Sequence, residues 1–141
     1  MPGDTEMTGQ NASVLIWDDD GRVLLIHEAY GERRYGPPGG RIEPGETPQQ
    51  AAIREAREEI QCDVRLGQLI FEGDFVAKDG TPFRGFFFNA EIVSGAPMPG
   101  DPAEIQSVDW YDLHDLPQPQ TISGGHVLTC LADGSIQRSN H

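Results

Sequence analysis

Apolar and polar positions change period several times along this chain of 141 residues. Residues 13–17 and 22–27 are short runs rich in β-formers, and Asp18-Asp19-Asp20-Gly21 between them ends in an Asp-Gly pair. That local pattern predicts a hairpin. From residue 28 to 46 neither a period of 2 nor one of 3.6 survives among the glycines, prolines and charges, which predicts a loop. A helix follows: Thr47 can cap it, Pro48 takes the first position, and Gln50 completes a capping box. Within it Ile53, Ala56 and Ile60 fall on one side, as a core-facing stripe should. Residues 64–77 and 82–93 read as a second hairpin around Lys78-Asp79-Gly80, with Phe86, Phe87 and Phe88 filling core on alternating faces. Residues 94–102 form a proline-rich loop, 108–113 a further strand, and about 121–132 a final short helix. Residues 1–11 read as a loose leader. No repeat or linker divides the chain, so a single domain over 1–141 is expected. Strands on both sides of one strong helix, with a second helix at the end, predict the α/β class with a mixed sheet covered by helices.

Composition narrows the partners. Ten basic against 23 acidic side chains leave a formal charge of −13. This disfavours a nucleic acid polymer or an acidic membrane surface, since both need basic patches to neutralise phosphate. A small anion delivered with a metal is not disfavoured. Cys62 and Cys130 stand far apart, without a C-x-x-C, so they supply neither a zinc set nor a disulfide framework. Residues 1–10 lack the basic and apolar regions of a signal peptide, and no apolar run approaches a membrane span. A reduced, cytoplasmic protein is the expectation.

The informative segment is Arg54-Glu55-Ala56-Arg57-Glu58-Glu59. Glu55, Glu58 and Glu59 stand at i, i+3 and i+4, so they share an arc opposite the apolar stripe and repel one another by roughly a few tenths of a kcal/mol per pair. Arg54, four residues before Glu58, relieves part of this but cannot serve all three. A hard divalent cation could, because magnesium takes oxygen ligands from a few carboxylates plus substrate phosphates. A solvated charged face is the alternative for such a triplet on an arbitrary helix. The preceding segment tips the balance: Gly39, Gly40 and Gly45 allow close backbone approach to an ion or phosphate, and Glu43 and Glu46 add carboxylates.

Residues 40–62 together read G-x5-E-x7-R-E-A-x-E-E-x-Q-C, which resembles the Nudix hydrolase signature G-x5-E-x7-R-E-U-x-E-E-x-G-U, U being a bulky aliphatic residue. Gly40, Glu46, Arg54, Glu55, Glu58 and Glu59 occupy its glycine and polar positions. Ala56 and Cys62 are smaller than the family's aliphatics, and Gln61 replaces the glycine that normally ends the helix in a left-handed conformation. A non-glycine there costs on the order of 1 kcal/mol. None of the three departures removes a ligand. Trp110-Tyr111-Asp112-Leu113 leading to Leu116-Pro117 is similar to a closing pattern frequent in the family.

The resemblance implies a small MutT-like domain with an α/β/α sandwich and a mixed β-sheet. It implies hydrolysis of a nucleoside diphosphate linked to another moiety, with Mg2+ or Mn2+. Glu58 and Glu59 would be the main metal ligands, the Gly40 carbonyl another, and Glu55 a further ligand or the general base. Arg54 would orient the glutamates, with Glu46 behind it. Glu104 or Asp109 is a possible additional acid, weighed against an ordinary strand-end carboxylate. Nine of the ten basic residues are arginine. Arg33, Arg34 or Arg84 could hold distal phosphates, since the guanidinium suits bidentate contacts, against a plain solubilising role. Tyr30, Tyr35, Phe71 and Phe75 could stack on a base, and the four histidines show no ligand spacing. The subgroup markers for ADP-ribose and diadenosine polyphosphates are absent from residues 77–80, which favours nucleoside triphosphates or a related nucleotide. A domain that binds a nucleotide as a silent sensor is the alternative, although such domains usually lose box glutamates. The partner is then a small nucleotide, with no nucleic acid polymer and no membrane, and the chain a monomer or homodimer.

Overall fold

The computed structural model describes residues 9–138. Seven strands and two helices follow in the order β1 (Gly9–Ile16), β2 (Val23–Glu28), β3 (Tyr35–Gly36), β4 (Gly39–Arg41), α1 (Pro48–Ile60), β5 (Asp63–Val76), β6 (Pro82–Ser94), β7 (Ile105–Tyr111) and α2 (Ile122–Asp133). They form a four-stranded sheet in the order β4-β1-β6-β5 and a three-stranded sheet in the order β3-β2-β7. The first is mixed, because β1 runs parallel to β6 while β4 with β1 and β5 with β6 pair antiparallel.

Alternation along the strands divides the core in two. Ala12, Val14 and Ile16 of β1, Leu24 and Ile26 of β2 and Phe88 of β6 pack with Ala51, Ala52, Ala56 and Ile60 of α1. Leu15, Val23, Leu25 and Phe87 point to the opposite side and pack with Val127, Leu128 and Leu131 of α2. Successive side chains on a strand face opposite ways, so one helix covers each face and an α/β/α sandwich results. Phe86, Phe87 and Phe88 alternate between the two cores as their spacing predicts.

The second hairpin forms as expected, β5 pairing with β6 around residues 77–81. The first does not. Residues 18–22 turn as predicted, with the Asp18 carboxylate accepting from the amides of Asp20 and Arg22 at 2.9 and 2.8 Å. After a single bridge between Trp17 and Val23, however, β1 and β2 part into different sheets. A strand has two edges; those of β1 are taken by β4 and β6, and those of β2 by β3 and β7. Three boundaries also move. Strand β1 starts at Gly9, inside the expected leader, of which residues 1–8 lie outside the described part. Two short strands, β3 and β4, occupy the expected loop over residues 28–46. Strand β7 begins at Ile105, three residues before the pattern suggests.

Candidate active site

Helix α1 starts as predicted, with Thr47 accepting from the Gln50 amide and the Gln50 side chain accepting from the Thr47 amide. Its second turn carries Arg54, whose guanidinium is fully engaged. Nε and Nη2 grip both oxygens of Glu46 at 2.7 and 3.0 Å, Nη1 donates to Glu55 and Glu58 at 3.0 and 3.1 Å, and Nη2 also reaches the Arg41 carbonyl at 2.9 Å. The fork therefore ties the loop before the helix to two of the three helix glutamates. The Glu46 carboxyl sits below the usual carboxylate range because Arg54 bonds to it.

The glutamates meet different surroundings. Glu58 is 58% exposed. Glu55 lies against Gly40, where a β-carbon would come within 2.5 Å of its carboxyl carbon, so only glycine permits the approach. Burial raises the Glu55 carboxyl above its ordinary range, with Arg54 pulling the other way. Glu59 accepts from the Gly39 amide at 2.8 Å. Burial, reinforced by Glu55, Glu104 and Glu28, pushes its carboxyl up to about 8 against the pull of that amide.

Beside Glu59 opens a cavity of about 250 Å³, lined among others by Gly39, Gly40, Glu28, Tyr30 and Glu104. Three carboxylates face it, and no arginine, lysine or histidine is among the residues that line it. Among the described residues no three His, Cys, Asp or Glu side chains converge as a ready-made metal site. Arg54 draws Glu55 and Glu58 one way while the Gly39 amide holds Glu59 the other. The donors still fit a hard divalent cation. All are oxygens, and the half-buried Glu59 would exchange its proton for a cation that offsets the charge.

The sequence-predicted residues divide. Gly40, Glu46, Arg54, Glu55, Glu58 and Glu59 come together, and Glu104 joins them across the cavity. Asp109 does not. It pairs with Leu25 on the α2 side of its strand, while Val108 and Trp110 point toward α1, so strand alternation turns it away. Arg34 is bonded to Glu32, and Arg84 to Glu72 and Asp74; Arg84 and Asp74 line a separate hollow together with Glu46. Neither they nor the exposed Arg33 line the cavity. Of the aromatic candidates only Tyr30 does; Tyr35 stacks on His27 with centroids 3.9 Å apart, and Phe71 and Phe75 pack on the α2 side. Sequence reasoning missed Glu28, whose signal was its place two residues after the core residue Ile26 on the same strand face. It also missed the Gly39 amide, a backbone donor that carries no residue signature.

Comparison with known proteins accords with this geometry. The NUDIX domain family model matches residues 7–129. The NAD-capped RNA hydrolase NudC of Stutzerimonas stutzeri is 31% identical over 107 residues, covering 74% of this chain but only 36% of that protein. The chain thus spans about a third of that relative, as it does of a putative Nudix hydrolase from Caenorhabditis elegans, at 33%. The phosphatase NudJ of Escherichia coli is 27% identical over 119 residues, covering 82% of this chain and 78% of that one. A crystal structure of a MutT Nudix hydrolase from Burkholderia pseudomallei superposes with a TM-score of 0.79 at 27% identity, over 86% of this chain and 96% of that chain. The glutamate-bearing helix, the glycine loop against it, the mixed-sheet sandwich and these matches together place the chain in the Nudix hydrolase family, enzymes that act on nucleoside diphosphate derivatives and generally use divalent metal ions.

Proposed function

We propose that this protein hydrolyses the pyrophosphate linkage of a nucleoside diphosphate joined to another moiety, a nucleoside triphosphate or related nucleotide, with Mg2+ or Mn2+. One observation carries the reading: the cavity beside Glu59 is lined by carboxylates and by no basic side chain. A polyphosphate would enter such a space only with cations that neutralise both partners. Glu58, Glu59 and the Gly40 carbonyl would hold the metal, with Glu104 as an additional acid. The bound cation supplies charge neutralisation on the phosphate oxygens and lowers the pKa of water.

The chain's own residues do the rest. Glu55, bonded by Arg54 and seated against Gly40, takes the proton of the attacking water. Arg54 cannot contact phosphate while its donors are engaged, so its role is to aim Glu55 and Glu58. Glu46 holds Arg54 from behind by two bonds. Tyr30, 56% exposed at the cavity wall, offers a face for a base. Asp109, Arg33, Arg34 and Arg84 have no place in this scheme.

The test is turnover of a panel of nucleoside triphosphates, sugar nucleotides, dinucleoside polyphosphates, ADP-ribose and an NAD-capped oligonucleotide, with magnesium and then manganese, by the protein and by Glu58→Gln. A preferred substrate whose turnover falls at least about 100-fold in the variant supports the reading, since the side chain is exposed and its loss leaves the fold intact. Unchanged turnover in Glu58→Gln would remove Glu58 from the metal site. Binding without turnover of any substrate would leave the sensor alternative.

A further inference from the structure

Gln61 stands where the family signature has glycine, and it keeps the left-handed backbone that glycine would adopt, with φ 59° and ψ 37°. Its exposed side chain reaches across to the loop between β6 and β7, Nε2 donating to the Pro99 carbonyl at 2.8 Å. The same loop closes the C-terminal end of α1. The Met98 amide donates to the Ile60 carbonyl at 3.1 Å and the Gly100 amide to the Glu59 carbonyl at 3.0 Å, satisfying two of the acceptors that a helix end leaves open. The fit is close: a β-carbon on Gly100 would fall 1.8 Å from the Glu58 carbonyl oxygen. Immediately beyond, Asp101 folds the chain back, its carbonyl accepting from the amides of Glu104 and Ile105 at 2.9 and 2.8 Å and its carboxylate from that of Ala103 at 2.9 Å. Glu104 then faces the cavity, while its carbonyl accepts from the Ala29 amide at 2.9 Å.

These contacts make a continuous strut from the residues that bear Glu58 and Glu59 to Glu104. We propose that Gln61 is a positioning residue, whose bond to Pro99 holds this strut and so fixes Glu104 relative to the glutamates of α1. The unfavourable left-handed conformation is then retained for the side chain, which glycine could not supply. The inference rests on the hydrolytic reading, in which Glu104 acts beside the metal. A displacement of about 1 Å in such a group costs up to about 100-fold in rate, so a tether remote from the chemistry can matter.

The experiment compares Gln61→Gly and Gln61→Glu with the unmodified protein, each with and without Glu104→Gln. Glycine relieves the backbone, whereas glutamate keeps the size and the backbone cost but loses the donor. Gln61→Gly is expected to hold or raise the denaturation midpoint while kcat falls about tenfold, KM stays within about twofold, and the magnesium concentration for half-activation rises. Gln61→Glu is expected to share the kinetic loss. In the Glu104→Gln background both kinetic effects are expected to disappear. Amide hydrogen exchange at Met98 and Gly100 is expected to quicken about tenfold in both Gln61 variants. Kinetics and metal requirement within about twofold of the unmodified protein, or effects that multiply independently of Glu104→Gln, would overturn the proposal. Should no substrate be turned over at all, the hydrolytic reading fails by itself. The exchange measurement then decides the strut alone, with unchanged rates at Met98 and Gly100 counting against it.

Discussion

Replacing Glu59 by glutamine should stabilise the metal-free protein, and increasingly so as pH rises. Glu59 is half-buried beside Glu55, Glu104 and Glu28, and that burial pushes its carboxyl up to about 8, while in the unfolded chain it titrates near 4.5. The folded state therefore binds the extra proton between those values. Stability from this group is fully present below the unfolded value and is lost as pH rises through the folded one. The slope is about 1.4 kcal/mol per pH unit inside the window. Between pH 5 and 8 the loss comes to about 3.5 kcal/mol, less whatever solvent still reaching the carboxylate screens, so roughly 2–3 kcal/mol. Glutamine stays neutral throughout and keeps an oxygen to accept from the Gly39 amide, so it escapes the loss. The assay is urea unfolding of chelator-treated protein and Glu59→Gln at several pH values from 5 to 8.5. Subtracting one from the other cancels the remaining titrations. The variant's advantage should grow with pH, and saturating magnesium should stabilise the unmodified protein far more than the variant. A difference that stays flat with pH would refute the reasoning and show that Glu59 is ionised in the metal-free fold.

Arg54→Lys should lower turnover about 10- to 100-fold and cost about 1–3 kcal/mol of stability, because an ammonium cannot bond Glu46, Glu55, Glu58 and the Arg41 carbonyl together; kinetics and urea unfolding check both. Gly40→Ala should reduce turnover at least about tenfold with a stability cost near 1 kcal/mol, as the added methyl displaces the Glu55 carboxyl; a fully active variant would show that Glu55 need not lie there. Thr47→Ala should cost about 1 kcal/mol through loss of the capping bond and leave kcat per folded molecule unchanged.

Where the physics is local, the residues alone announce the structure. The capping box at Thr47, the apolar stripe of Ala56 and Ile60, the turn at residues 18–22 and the hairpin of β5 and β6 all appear as the spacing predicts. The helix glutamates and Arg54 were legible for the same reason, since i, i+3 and i+4 positions share a face whatever the tertiary context.

What no local pattern could decide is which strand edges meet. The separation of β1 from β2 follows from β4, β6, β3 and β7 claiming their edges, contacts made between distant parts of the chain. Sequence could name Glu104 and Asp109 as acids but not choose between them. Strand alternation turns Asp109 toward α2, and a turn held against the end of α1 brings Glu104 to the cavity. Arginines suited to phosphate were likewise visible, yet Arg84 is committed to Glu72 and Asp74 by strand pairing. The helix, its cap and the carboxylate set thus follow from neighbouring residues alone. How deeply each carboxylate lies is set by contacts between distant segments: Glu58 stays 58% exposed, whereas Glu59 is drawn in beside Gly39, where burial pushes its carboxyl up to about 8.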